Sequence, residues 1–239
     1  MSVLVVTGTG TEIGKTVVTA AIAALASAAG RGVAVLKPAQ TGLNPGDPGD
    51  VDAVARLAGP GTRRELARYP EPLAPATAAR RSGLAPVRPR QAAETAARLA
   101  LDHDLVLVEG AGGLLVRYDD EGGTLADAAV ALRDLGVEVS VLMVTTVELG
   151  TLNTTALTAE ALRARRLPLR GLVIGSWPAV PGTTARCNLT DLPAVADAPL
   201  LGALPENCAG EEPAGFRAIA RASLAPDLGG SWMLPPPGT

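Results

Sequence analysis

The run Thr7-Gly-Thr-Gly-Thr-Glu-Ile-Gly-Lys-Thr16 joins closely spaced glycines to a lysine and a hydroxyl, the groups that grip a phosphate chain. A glycine-rich turn at the start of a helix lets successive backbone N–H groups converge on phosphate oxygens, and the helix dipole adds to the attraction. In such a loop Lys15 contacts the β- and γ-phosphates and the Thr16 hydroxyl serves Mg2+. The spacing departs from Gly-x4-Gly-Lys-Thr: Thr9 stands where that pattern needs glycine, and Gly8 comes one residue early, so the loop is enlarged. Further on, Asp104-Leu-Val-Leu-Val-Glu109-Gly-Ala-Gly-Gly113 is an apolar strand ending in a carboxylate and a flexible loop. A Mg2+–nucleotide site needs one or two carboxylates at the same sheet edge, and Glu109 is the candidate. A second comes from Gly49-Asp-Val-Asp52, where Asp50 or Asp52 also suits a helix N-cap.

Lysine usage singles out the same residues. Of 21 basic residues only Lys15 and Lys37 are lysines, and the rest are Arg. An ammonium is a compact point charge and a guanidinium a planar fork, so a site that needs the former rejects the latter. Both lysines follow apolar runs, at the expected carboxyl ends of strands, where open α/β sheets bind ligands.

These groups must be positioned by the elements around them. Val3 to Val6, Val33 to Leu36, Leu105 to Val108, Val139 to Val144, Leu172 to Ile174 and Leu200 to Leu204 are continuous apolar runs without period-2 alternation, as in strands covered on both faces. Between or after them lie helical stretches at Lys15 to Ala29, Val51 to Ala58, Arg90 to Leu101, Leu125 to Leu135, Leu152 to Arg165, Pro193 to Ala198 and Ala214 to Leu224. The alternation predicts an α/β fold: a doubly wound, mostly parallel sheet with helices on both faces. Asn44 to Asp50 and Gly59 to Pro89, rich in turn formers, are expected to be irregular inserts in one domain spanning residues 1–225, with a loosely attached tail over 226–239.

The 239 residues allow one sizeable core at ~150 residues per domain. Hydrophobic residues make up 47% and charged residues 19%, which excludes a disordered chain. A net charge of −3 with few aromatics supplies neither an electrostatic footprint nor stacking platforms, so no nucleic-acid and no membrane partner is expected. The longest helix-like apolar stretch, Val17 to Ala29, falls short of the ~18 residues of a spanning helix. Cys187 and Cys208 are neither a metal quartet nor a redox pair, no secretory leader is evident, and a cytoplasmic location is the expectation. His103, the single histidine, is expected to be a solvent-exposed turn residue without catalytic work.

Five segments together resemble the dethiobiotin synthetase family over nearly the whole chain: Thr7 to Thr16, Lys37-Pro-Ala-Gln-Thr-Gly42, Val108-Glu-Gly-Ala-Gly-Gly113, Leu149-Gly-Thr-Leu-Asn153, and Pro199-Leu-Leu-Gly202 with Pro205. The resemblance implies a P-loop NTPase-type fold and an ATP-dependent ligase that takes 7,8-diaminononanoate, CO2 (or bicarbonate) and MgATP to dethiobiotin, ADP and phosphate. It implies Lys37, Lys15 and Thr11 as catalytic, and Glu12, Ile13, Gly14, Lys15, Thr16, Val17, Asp50, Glu109, Gly110, Ala111 and Gly112 around the nucleotide. Thr16, Glu109 and Asp50, preferred to Asp52 by its position before the helix, would hold Mg2+. Thr41 and Lys37 would face the carbamate. Gly150, Thr151, Leu152 and Asn153 would receive the substrate's carboxylate in a site shared across a homodimer. The base would lie near Gly175, Ser176, Pro205 and Glu206, but Gly175 and Ser176 stand where the family commonly has an adenine-reading Asn. Two rivals are weaker. A related amidoligase needs a glutaminase with Cys and His, for which this chain lacks the length and residues. A partition-type ATPase carries a lysine at the position of Gly10.

Overall fold

The computed structural model describes residues 2–235 and contains one seven-stranded, fully parallel sheet. The strands are β1 (Ser2–Gly8), β2 (Val33–Thr41), β3 (Thr62–Tyr69), β4 (Leu105–Glu109), β5 (Val139–Thr145), β6 (Leu169–Trp177) and β7 (Leu200–Pro205), in the order β3-β2-β4-β1-β5-β6-β7. The helices are α1 (Lys15–Ala28), α2 (Asp50–Ala58), α3 (Pro75–Ser82), α4 (Pro89–Asp102), α5 (Leu125–Asp134), α6 (Thr151–Ala164), α7 (Thr183–Ala196) and α8 (Pro213–Ser223).

The continuous apolar runs are explained by two cores. Val3 and Val5 of β1 face a layer shared with α3 to α7, whereas Leu4 and Val6 face a layer shared with α1, α2 and α8. With both faces covered, every position of β1 from Val3 onward is buried and alternation has no reason to appear. Alanine lets the helices approach the sheet closely. In α4, Ala92, Ala93, Ala96 and Ala100 form the buried stripe, at i, i+1, i+4 and i+8. In α1 the run Val18 to Ala26 is buried all round, between β-sheet, α2 and α8.

Four expectations about the elements are corrected. The stretch 59–89 holds β3 and α3: β3, Thr-Arg-Arg-Glu-Leu-Ala-Arg-Tyr, is an edge strand with one neighbour, so it is charged rather than apolar. α7 begins ten residues before Pro193, which lies inside its last turn at the loss of one backbone hydrogen bond. β2 continues past Leu36 to Thr41, so Lys37 lies within a strand: pairing with β4 stops at Leu36, but pairing with β3 carries on through Lys37↔Glu65, Gln40↔Arg68 and Thr41↔Tyr69. Finally, the segment from Pro226 to Trp232 is not loose. Its backbone bonds to Ala225, Arg221 and Leu224, Asp227 pairs with Arg170, and Leu228 is buried. Residues 236–239 lie outside the described part.

His103 is half-buried rather than free in solvent. Its Nδ1 lies 2.8 Å from the Leu99 carbonyl and its Nε2 2.8 Å from the Thr62 hydroxyl, so it ties the end of α4 to the start of β3. Among the described residues, no helix is long and apolar enough to cross a membrane.

Candidate active site

The loop from Thr9 to Gly14 turns back on itself between β1 and α1. Its start is held by Thr9 N–H donating to the Val144 carbonyl at 3.0 Å, and its end by the first helical bond, Val18 to Gly14. Glu12 (φ 58) and Gly14 (φ 90) both adopt the left-handed conformation, which closes the enlarged loop over the head of α1. Gly14 has no room for a side chain either, because a Cβ there would lie 2.5 Å from the Gly175 carbonyl oxygen. The loop curls round its own lysine: Lys15 Nζ donates to the Gly10 carbonyl at 2.7 Å.

Beside it, β2 and β4 carry the second half of the site. Lys37 Nζ lies 2.5 Å from Asp50 Oδ2, 2.8 Å from Glu109 Oε1 and 3.0 Å from the Gly110 carbonyl oxygen. The Thr16 hydroxyl donates to the same Glu109 oxygen at 2.9 Å. Glu109 and Lys37 are buried, at 1% and 4% exposure, so each charge depends on its partners for solvation. The loop after β4 is held by Tyr118, whose buried hydroxyl accepts the Ala111 N–H at 3.0 Å.

Charge and burial set the two lysines apart. Burial and the neighbouring Lys37 ammonium push the Lys15 pKa down to about 8. Burial acts on Lys37 the same way, but the Glu109 and Asp50 carboxylates more than offset it, and its pKa is raised. The carboxylates thus favour the charged form of Lys37, whereas burial disfavours that of Lys15.

These groups surround a cavity of about 440 Å3, a size that accepts a small-molecule ligand. The structure brings Thr11, Glu12, Ile13, Gly14, Lys15, Thr16, Val17, Lys37, Thr41, Asp50, Glu109, Ala111 and Gly112 to its walls. It also separates the two aspartates. Asp52 accepts the Gly49 N–H at 2.9 Å and pairs with Arg63, as a capping residue does, while Asp50 faces Lys37. The Thr16 hydroxyl and the two carboxylates line one cavity, with both carboxylates on Lys37 Nζ and the hydroxyl on Glu109, and they offer only oxygens, the donors a hard divalent cation takes together with phosphate and water.

Other expected residues lie off this cavity. Gly110 contributes only its carbonyl to Lys37. Gly150, Thr151, Leu152 and Asn153 form the head of α6, where Gly150 is left-handed (φ 98), Asn153 is exposed, and Thr151 is bound into a hydroxyl cluster with Thr145 and the Thr146 carbonyl. Pro205 and Glu206 follow β7, Glu206 accepting the Ala179 N–H at 3.0 Å, and Ser176 is exposed at the end of β6. Gly175 is buried beneath the phosphate loop: a Cβ at this position would lie 1.9 Å from the Ile13 carbonyl oxygen. Gln40, a wall residue, lies inside the Lys37 to Gly42 segment, but the sequence carries no sign of its role because its partner is a backbone amide ten residues away.

A fully parallel doubly wound sheet whose central strand feeds a glycine-lysine-threonine loop defines a P-loop nucleoside triphosphatase. Solved structures agree on the fold: the MinD cell division protein of Aquifex aeolicus (TM-score 0.58, 13% identity, covering 99% of this chain and 100% of that one) and a ParA family ATPase from Chlorobium tepidum (TM-score 0.55, 14% identity, 95% of each). A family model described as an AAA domain matches residues 2–214. The relative named ATP-dependent dethiobiotin synthetase BioD from Streptomyces avermitilis is 66% identical over 232 residues, covering 97% of this chain and 95% of its own length. The relative of the same name from Saccharopolyspora erythraea is 68% identical, over 97% and 99%. The chain belongs to the dethiobiotin synthetase family.

Proposed function

We infer that this chain carries out the ATP-dependent carboxylation and ring closure of 7,8-diaminononanoate, with the cavity between Lys15 and Lys37 as the reaction site. One amine adds to CO2 and loses a proton, giving a carbamate. A carbamate oxygen attacks the γ-phosphorus, the bond to the ADP oxygen breaks, and a carbamic-phosphoric anhydride forms. The second amine then attacks the carbonyl carbon and loses a proton, the C–O bond to phosphate breaks with phosphate leaving, and the ureido ring closes.

The observation that carries this reading is the pair of buried ammonium groups facing one cavity. Joining a carbamate to a triphosphate brings anions together, and catalysis rests on holding them in line and neutralising the charge. Lys15 is assigned to the β- and γ-phosphates, Lys37 to the carbamate and γ-phosphate, Thr11 and Glu12 to the loop beside them, and Thr41 to a hydrogen bond with the carbamate. The donor set of Thr16, Asp50 and Glu109 fits Mg2+, which when bound neutralises phosphate charge. The exposed head of α6 suits the carboxylate tail of a substrate bound mainly by a second copy. Support for a homodimer comes from the apolar surface beside it, where Leu149 is 94% exposed and Leu157 and Leu115 flank a cavity of about 310 Å3. A cytoplasmic location completes the proposal.

Turnover is the test. ATP consumption is expected to depend strictly on both diaminononanoate and bicarbonate, whereas steady hydrolysis without them would mark a nucleotide-switched ATPase instead. Subunit sharing predicts complementation. Mixing inactive Lys37→Ala and Asn153→Ala chains is expected to restore about a quarter of wild-type sites, by random pairing across a two-fold interface. No recovery, with exchange verified by mass spectrometry, would mean that each site is built from one chain.

Nucleotide choice is the third expected result. Gly175, packed beneath the phosphate loop, has no side chain with which to read a base, and the contacts assigned to Gly14, Lys15 and Thr16 with phosphates are indifferent to it. CTP, GTP or UTP is therefore expected to support turnover within about thirtyfold of ATP in kcat/KM, or ~2 kcal/mol. A thousandfold preference for ATP over all three would show that another group reads adenine.

A further inference from the structure

Asp50 is the least protected member of the cluster. Its side chain is 32% exposed, its one ion pair among the described residues is to Lys37, and it opens α2 just after the exposed loop Asn44 to Pro48. The N-cap of α2 is Gly49, which has no side chain to accept the first amides of the helix. Gln40 supplies that acceptor from the neighbouring strand. Its Oε1 accepts the Asp50 N–H at 2.9 Å while its Nε2 donates to the Thr41 carbonyl at 3.3 Å, and the residue is 6% exposed.

A second layer backs it. Arg68 stands opposite Gln40 in the β2–β3 register. Its Nε and Nη2 bond Glu65 at 2.7 and 2.8 Å, and its Nη1 donates to the carbonyls of Asn44 and Asp47. Gly49 is threaded between them, since a Cβ there would lie 2.7 Å from Arg68 Nη2 and 3.2 Å from Gln40 Oε1.

We propose that Gln40 is a positioning residue of the active site: by accepting the Asp50 amide it fixes that carboxylate opposite Glu109 and so sets the affinity for the divalent cation. This rests on the assignment of Asp50 and Glu109 as cation ligands. Groups one shell out commonly change metal affinity by about 10- to 100-fold, and Gln40 acts through a single amide.

The test is Mn2+ binding in the presence of ADP, read as free Mn2+ by electron paramagnetic resonance, so turnover plays no part. Gln40→Leu keeps the bulk and removes the acceptor, and is expected to weaken Mn2+ about tenfold. Gln40→Glu keeps the acceptor and is expected to bind within threefold of wild type. Added to Asp50→Asn, Gln40→Leu is expected to have no further effect. Should Leu at this buried position prevent folding, Gln40→Asn, one methylene too short for the Asp50 amide, gives the same reading. In the unaltered protein the Asp50 amide is expected to exchange slowly with solvent deuterium, and exchange at the unfolded-chain rate overturns the proposal. So does Mn2+ binding within twofold of wild type in folded Gln40→Leu when Asp50→Asn has lost it. If Asp50→Asn itself binds Mn2+ as wild type does, the assignment of the cation ligands fails first, and the proposal with it.

Discussion

Replacing Lys37 by Arg is expected to lower turnover a hundredfold or more in a chain that still folds. The charge survives this change and the shape does not. Three oxygens, from Asp50, Glu109 and Gly110, lie within 2.5 to 3.0 Å of one nitrogen that is almost fully enclosed. A guanidinium is wide and flat, with its donors spread in a plane, and it cannot offer one point to three acceptors. Seating it displaces Glu109, which also holds the Thr16 hydroxyl, so the whole cluster shifts. Loss of ~3 kcal/mol of transition-state charge stabilisation accounts for the hundredfold. Circular dichroism and the melting temperature monitor the fold, and steady-state turnover of the purified variant decides: more than a tenth of wild-type activity would sink the assignment.

Gly175→Val is expected to weaken ADP binding thirtyfold to a hundredfold. A Cβ at this buried position of β6 would lie 1.9 Å from the Ile13 carbonyl oxygen and 2.8 Å from Val144 Cγ1. Relief has to come from one of two sides. β6 is hydrogen-bonded between β5 and β7, whereas the loop Thr9 to Gly14 is an excursion of the backbone, so the loop gives way. Overpacking of this kind costs about 1 to 3 kcal/mol, and here it falls on the N–H groups that cradle phosphate. Calorimetric titration with ADP measures it. Affinity within threefold of wild type would mean that strand and loop separate without consequence, and that Gly175 has no part in shaping the cradle.

Both effects turn on contacts between residues remote in sequence, and this divides what was legible beforehand from what was not. The phosphate loop, Lys15, Thr16 and the strand ending in Glu109 could be read directly, because the chemistry there is local: a turn, a helix start and a lysine follow one another within ten residues. The five interior strands of the sheet were equally plain, since burial on both faces writes itself as an unbroken apolar run. β3 was not, for an edge strand bearing Arg63, Arg64, Glu65 and Arg68 carries no such run, and its polar face is spent on holding the loop that precedes Asp50.

The sequence by itself therefore determined the class of chemistry, ATP-dependent and expected at a loop, two lysines and a carboxylate, along with the parallel α/β scaffold that carries them. Only the tertiary structure showed that Asp50 faces Lys37 while Asp52 accepts the Gly49 N–H and pairs with Arg63. It alone revealed the partner of Gln40, and it gave Gly175 a steric reason. The physical cause is the same each time: a hydrogen bond or a close approach across strands depends on register and packing, and those are set by the assembled sheet rather than by any short window of residues.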